Sequence, residues 1–359
     1  MNSILRKDLE HIFNNLTEAE KQKLNGANVL ITGCAGFLGY YFMHFFAHYR
    51  AVFGINQITG LDNFIVGNPE WLSNLEKTTP GMKIYNFDIA VDDISTISEA
   101  AGATYIIHMA SIASPVFYRK YPIETLDANI WGLRKLFDFY KEKPIRGLLF
   151  FSSSEIYGDP SADQIPTNEE YRGNVSCLGP RACYDESKRF GETMCYLFYQ
   201  QYNLPVSIAR PFNNYGPGMK LNDQRVPADF AKALLNNEDI VIYSSGSPTR
   251  TFCYVADAVT GYMKVMIYGQ CGYFNIGIAS PEITVAQLAE IYTEIGKRKF
   301  GYTGQVRYEV PQEKNYLTHN PMRRCPDITK AKTTLHYNPT ILVHEGVERF
   351  LDFLKEEQK

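Results

Sequence analysis

Asn28-Val29-Leu30-Ile31-Thr32-Gly33-Cys34-Ala35-Gly36-Phe37-Leu38-Gly39 is the stretch that decides the fold. A short apolar run of strand length ends in a turn punctuated by three glycines, and Phe37–Tyr49 beyond it is apolar at helical spacing. Glycines at this spacing permit a tight turn, close approach of backbone to a pyrophosphate, and close helix–sheet packing. The spacing alone is a weak signal. A strand before it and a helix after it make it specific.

Outward from this turn the chain repeats the rhythm. Strand-like runs at Val52–Ile55 with Thr59–Asp62, Lys83–Phe87, Tyr105–Met109, Gly147–Ser152, Pro205–Ala209 and Gly272–Ile276 are separated by helical segments. That alternation predicts an α/β protein with a Rossmann-type doubly wound parallel sheet. Leu148-Leu149-Phe150-Phe151 is continuously apolar, as a parallel strand buried on both faces should be. From Ile276 onward the rhythm breaks. Helical patches at Thr284–Gly296 and Leu342–Leu354 flank the polar stretch Glu309–Pro326. We therefore expect a smaller α/β substrate-binding lobe woven from several segments. Before the glycine turn, Ile4, Leu5, Leu9, Ile12, Phe13 and Leu16 fall at helical spacing, and Thr17-Glu18-Ala19-Glu20 reads as a capping box. The expected division is a helical extension over 1–25 and a dinucleotide-binding domain over 26–210, with 228–276 returning to it. The smaller lobe then takes 211–227 and 277–359.

Composition removes several function classes. Across 359 residues, 36 basic against 39 acidic side chains give a net charge of −3 with no basic stripe, which argues against a nucleic-acid surface. Apolar runs are too short for a bilayer, and the polar N-terminus has no secretory h-region, so we expect neither a membrane span nor a signal. The seven cysteines form no CxxC pair and are odd in number. They read as reduced thiols of a cytoplasmic protein, with no metal site. Twenty-five Tyr and 22 Phe hint at a buried self-association surface.

Asp62, closing the second strand region, is placed to accept from ribose hydroxyls and to repel a 2′-phosphate, which predicts NAD in preference to NADP; the neighbouring Asn63 joins it. Asp88-Ile89, after the next strand, can reach the adenine. His108, a lone histidine at a strand end, receives no catalytic role. Tyr184 and Lys188 lie four apart and so share a helix face. An ammonium beside a phenol should lower the phenol toward neutrality and make it a general base. Ser153, Ser154 and Glu155 end a central strand, where a serine hydroxyl can share a substrate proton with the tyrosine.

This pattern resembles the extended short-chain dehydrogenase/reductases that act on nucleotide sugars. Longer strings are similar to the UDP-glucuronate decarboxylases: Ser153-Ser154-Glu155-Ile156-Tyr157-Gly158, Gly179-Pro180-Arg181-Ala182-Cys183-Tyr184-Asp185-Glu186, Phe212-Asn213, Asn222-Asp223 with Arg225-Val226, Tyr243, Thr249-Arg250 and Pro326-Asp327-Ile328. The likeness runs over residues 26–355 and leaves the N-terminal helices outside. It implies Tyr184 as the base at the sugar 4-hydroxyl, assisted by Ser153 and Lys188, with Ser154 and Glu155 at C5–C6 and Arg250 handling substrate charge. It implies Tyr118, Asn213, Arg225, Tyr243 and Arg324 as further substrate ligands. The cofactor set is Gly33, Gly36, Phe37, Leu38, Gly39, Asp62, Asn63, Asp88, Ile89, Ala110, Asn129, Tyr184 and Lys188. The resemblance also implies a homodimer in which helices Ile123–Lys141 and Tyr184–Tyr202 pair across a two-fold axis as a four-helix bundle.

Decarboxylation through a 4-ketone is the leading reaction; a 4,6-dehydratase and a 4-epimerase are the alternatives on one scaffold. A binding-only NAD regulator fits poorly, since it needs no phenol base. Three departures from the decarboxylase pattern stand out: Phe117 for an asparagine, Glu124 and Asp127 for lysines, and Gly218 for an arginine. Peripheral helix surface is the plain explanation for these positions.

Overall fold

The computed structural model describes residues 1–310 and 321–358. Its centre is a seven-stranded sheet of β1 (Asn28–Thr32), β2 (Gln57–Asp62), β3 (Met82–Asn86), β4 (Tyr105–His108), β5 (Gly147–Phe151), β6 (Val206–Pro211) and β7 (Gly272–Ile276). The spatial order is 7-6-5-4-1-2-3 and every pairing is parallel. Strand order reverses between β1 and β4, so a crevice opens beyond their carboxyl ends. β5 is buried along its whole length, as its unbroken apolar run requires.

Short ladders form a second layer. Asn214–Tyr215, directly after β6, pairs with Cys253–Tyr254. Thr249–Arg250 pairs with both Ile283–Thr284 and Arg323–Arg324, and Ile240–Ile242 pairs with Val306–Tyr308. Segments far apart in sequence are thus gathered beyond the carboxyl ends of β5 and β6.

The N-terminal helices Ser3–Asn14 and Glu18–Lys23 form as predicted, the second with a reciprocal Thr17–Glu20 capping box. They pack on the buried helix Val255–Tyr268, which in turn lies on β5, β6 and β7. Asp8 fastens the arrangement. Its Oδ2 accepts from the hydroxyls of Tyr41 and Tyr254, both at 2.7 Å, and its Oδ1 from Arg349 at 2.9 Å.

Two expectations are corrected. Val52–Ile55 is no strand: after helix Phe37–His48 the chain turns tightly, with Ile55 N–H bonded to Arg50 O at 2.9 Å and Val52 left in solvent. Phe53 points inward onto Phe13 and Tyr49 instead. The expected single helix over 123–141 is interrupted by a π-turn at Ala128–Gly132, between helices Pro122–Asp127 and Leu133–Tyr140. Gly132 is pressed there against the Ile89 side chain and Asn129 is buried against Ser187, contacts that favour the wider turn. Within the polar stretch 309–326, residues 311–320 lie outside the described residues.

Candidate active site

Two cavities meet at Arg225, which lines both. The first lies over the glycine turn. Gly33 adopts φ +75°, and a Cβ there would stand 2.8 Å from Ala110 N and from the Met109 carbonyl carbon. Only glycine fits a turn held so close to β4. Gly33, Gly36, Phe37, Asp62, Asn63, Asp88, Ile89 and Ala110 line this cavity. Leu38, Gly39 and Asn129 are not on its wall. Leu38 packs into the core, and Gly39 lies against the Cys34 carbonyl. Asn129 donates to Ser187 Oγ at 2.9 Å and keeps a buried Oδ1 with no partner among the described residues.

Asp62 braces the glycine turn while facing the cavity. Its two oxygens accept from Ala35 N (2.9 Å) and Phe64 N (2.8 Å). Burial raises its carboxyl above the ordinary value, opposed by those amides and by Lys220 across the cavity. The residues present fit a dinucleotide: a backbone cradle that a Cβ would fill, an acid at the ribose position, and the helix Phe37–His48 starting at the turn.

The groups expected to react sit where β5 ends. Tyr184 and Lys188 are both buried on helix Ala182–Tyr202. The Tyr184 side chain lies near enough to the Ser153 hydroxyl for that group to act on its phenol, and it stacks on Tyr118 with ring centroids 5.3 Å apart. Lys188 Nζ donates to Phe151 O at 2.8 Å and lies 5.6 Å from the Tyr184 ring centroid. Lys188 was expected to pull the phenol down toward neutrality, and in the protein alone it does not. Burial, with Glu155 and Asp185 nearby, pushes Tyr184 up to about 12, against the nearby Ser153 hydroxyl and Arg225. Burial lowers Lys188 itself to about 7. His108 is a buried partner of Thr32 at 2.8 Å, with burial lowering it to about 3.

Glu155 is caught in a cluster of arginines. Arg181 Nη2 and Arg324 Nη2 (2.9 Å) both donate to its Oε2, and Arg250 is close enough to act on it. Burial alone would raise this acid, but the three guanidiniums outweigh burial and hold it down to about 2. Arg324 also donates to Ser154 O at 3.0 Å and is fully buried behind Glu155. Arg250 is held by the carbonyls of Thr249 (2.7 Å) and Pro321 (2.6 Å).

Glu155, Asn213, Arg225, Tyr243 and Arg250 line the second cavity; Tyr118 and Arg324 stand behind it. Asn213, in the left-handed region at φ 43°, donates to Thr251 O at 3.1 Å. Arg225 pairs with Asp223. Sequence reasoning gave no role to Arg119, Arg181 and Asp229, which line this cavity, or to Lys220 in the first. Arg181 lies in a quoted string, but its tie to Glu155, 26 residues away, has no local signal.

The departures are not remote surface. Phe117, Glu124 and Asp127 line the first cavity. Gly218 has φ +84°, and a Cβ there would come within 2.9–3.0 Å of the Tyr40 ring, so this turn has no room for an arginine.

Comparison with known proteins agrees with this geometry. Among curated proteins, UDP-glucuronic acid decarboxylase 1 of Xenopus tropicalis is 34% identical over 92% of this chain and 72% of its own length. UDP-glucuronic acid decarboxylase 6 of Arabidopsis thaliana is 34% identical over 89% of this chain and 86% of its own. Among solved structures, UDP-glucose 4-epimerase of Thermotoga maritima superposes with a TM-score of 0.78 at 25% identity, over 92% of this chain and all of that one. Residues 29–277 match the family model described as "NAD dependent epimerase/dehydratase family", and the chain belongs to that family.

Proposed function

We propose that this chain is a nucleotide-sugar lyase working through a 4-ketone, with decarboxylation of UDP-glucuronate as the leading reaction and UDP-xylose or its 4-keto pentose as product. The observation that carries this reading is the convergence of Arg181, Arg250 and Arg324 on Glu155, beside the Ser153–Tyr184 pair. Guanidinium forks at that point suit a sugar that brings its own carboxylate.

In the first cavity Gly33, Gly36, Asp62, Asn63 and Ala110 would hold NAD. When bound, NAD supplies a hydride acceptor at the sugar C4 and afterwards a donor. Tyr184, with the Ser153 hydroxyl beside it, takes the proton of the 4-hydroxyl and later returns it. With C4 a ketone, the C6 carboxylate is β to a carbonyl, so CO2 leaves with the electron pair going to an enolate. Arg250 and Arg181 orient the carboxylate before it leaves.

One observation favours a second reading. Glu155 is held ionised, which suits removal of a C5 proton and loss of water, the dehydratase outcome. Incubating the enzyme with UDP-glucuronate, UDP-glucose, GDP-mannose and dTDP-glucose and weighing the products separates the reactions. Loss of CO2 supports the leading reading, loss of water supports the second, and unchanged mass with altered stereochemistry supports an epimerase and overturns both.

The homodimer is part of this proposal. Ile123 and Trp131 on one helical segment and Phe190, Tyr196 and Leu197 on the other are about half exposed or more, which supports their pairing with copies of themselves. Tyr202 is half-buried on Phe198 at 5.3 Å, so it is a poor position from which to break that pairing. Leu197→Asp should yield a monomer by light scattering at micromolar concentration; a wild-type monomer overturns the dimer. Seven unbridged cysteines support a reducing compartment, the cytoplasm, and among the described residues no helix is long and apolar enough to cross a membrane.

A further inference from the structure

One segment joins the two cavities. Among the described residues, both cations that line the first cavity, Lys220 and Arg225, come from the stretch 218–225, and Arg225 lines the second cavity as well. Contacts fix this stretch at three points. At one end Lys220 Nζ donates to Val66 O at 2.9 Å, in the loop after β2. In the middle the buried Ser114 hydroxyl donates to Asp223 O at 3.0 Å. At the other end Arg225 Nε donates to Asp223 Oδ2 at 2.7 Å. Its guanidinium also stands 5.6 Å from the centroid of the Phe37 ring, where the helix after the glycine turn begins.

Lys220 and Val66 both line the first cavity and lie 154 residues apart, so their bond closes one side of it. The loop that receives Lys220 is tied to the cofactor cradle, since Asp62 holds Phe64 N and Phe64 O holds Gly67 N at 2.8 Å. Ser114 in turn precedes the helix Pro115–Lys120, whose Tyr118 stacks on Tyr184. The segment therefore touches the cofactor cradle, the helix that backs the phenol, and the substrate cavity. The Lys220–Val66 bond is exposed to water, and such a bond is weak by itself and opens readily.

Resting on the nucleotide-sugar reading above, we infer that residues 218–225 form a clasp, through which a nucleoside diphosphate held by Arg225 keeps Lys220 on Val66 and slows the release of NAD. A phosphate on the Arg225 fork orders the segment from its far end, and the exposed bond then closes at less cost. The reaction gives this device a use. The hydride taken from C4 has to return to the same sugar for UDP-xylose to form, so cofactor lost midway strands an oxidised sugar. The clasp holds while substrate is present and relaxes once product leaves.

The test follows release of radiolabelled NAD from the full-length, NAD-loaded protein into excess unlabelled NAD, with and without a nucleoside diphosphate. Calorimetry first selects the tightest binder among UDP, dTDP and GDP. At saturation it should slow release from the wild type about tenfold or more, the scale of one hydrogen bond to a charged group. Lys220→Met should lose most of this slowing, whereas Lys220→Arg, which still carries a donor, should keep it. Ser114→Ala removes the middle contact and should lose part of it. A diphosphate that binds but leaves wild-type release unchanged overturns the inference and leaves the nucleotide-sugar reading standing. Slowing that survives intact in Lys220→Met does the same, since the diphosphate then blocks the exit without the clasp. Binding of none of the three diphosphates overturns that reading and the inference with it. If Lys220→Met does not fold, Ser114→Ala decides, and full slowing in that variant overturns the clasp.

Discussion

Two of the carboxylates that the chain sets against arginine, one under the N-terminal helix and one at the end of β5, are satisfied to different degrees. Around Asp8 both oxygens are filled, by two tyrosine hydroxyls and one guanidinium, and the group is fully enclosed. Around Glu155 two guanidiniums crowd one oxygen, a third arginine stands near, and the carboxylate lines a cavity. Asp185, 3.5 Å from Arg181, keeps a buried Oδ1 with no partner among the described residues. The first cluster is complete and can only hold elements together. The second leaves Glu155 facing a cavity, and unmet polar groups of that kind mark candidate sites of binding or chemistry.

The largest effect should come from breaking the complete cluster. Asp8→Ala leaves two buried hydroxyls without their acceptor and Arg349 with only the half-exposed Glu345, at a cost of about 3–5 kcal/mol in denaturant unfolding. Turnover per folded molecule should stay at the wild-type level, because Asp8 touches neither cavity. A fall in turnover of the folded fraction would show that the N-terminal fastening and the site act as one unit.

The next effect belongs to the incomplete cluster. Tyr184→Phe should lower turnover roughly 100-fold or more, the scale of a lost general base, while retaining bound cofactor and native stability. Glu155→Gln should slow CO2 or water loss more than C4 oxidation, so a 4-keto sugar becomes detectable by mass spectrometry. Equal slowing of both steps would deny Glu155 a separate role.

How much of this was legible in the chain follows the range of each signal. The glycine turn, Asp62, and the Tyr184–Lys188 pair are local patterns on a strand end and one helix face, and the sheet followed from apolar runs of strand length. The Thr17–Glu20 cap was readable because both partners lie three residues apart. The Glu155 cluster was not, since Arg181, Arg250 and Arg324 come from three distant segments. Val52–Ile55 misled because its apolar residues serve a turn in which only Phe53 and Ile55 point inward. The direction of the Tyr184 shift was also out of reach: spacing puts Lys188 near the phenol, but the burial that outweighs the ammonium is a property of the whole fold.

A smaller effect tests whether the Glu155 cluster is strained by its charge. Burial first, and then Glu155, raises Asp185 to about 7. An acid raised in the folded state lends stability below its unfolded value near 3.8, and loses it as pH rises through about 7. Asparagine does not titrate. Asp185→Asn should therefore gain on the wild type by about 1 kcal/mol or more between about pH 4 and pH 8, with the gain growing as pH rises. A flat difference across that range would mean that the fold does not raise Asp185.

The smallest effect returns to the N-terminal region and separates local from tertiary fastening. The Thr17 hydroxyl accepts from Glu20 N at 3.2 Å, and the Glu20 carboxylate answers Thr17 N at 2.7 Å. The same carboxylate receives both bonds from buried Lys264, at 2.9 and 3.0 Å, so one side chain caps a helix and pins it to Val255–Tyr268. Thr17→Ala removes only the cap acceptor and should cost about 1 kcal/mol. Glu20→Gln weakens cap and anchor together and leaves Lys264 buried beside a neutral amide, so it should cost more than Thr17→Ala. If the two variants cost the same, Lys264 contributes nothing through Glu20, and the second helix is held by its cap and apolar contacts alone. Turnover should not change in either variant, because an enclosed cluster can loosen by this much without moving Tyr184.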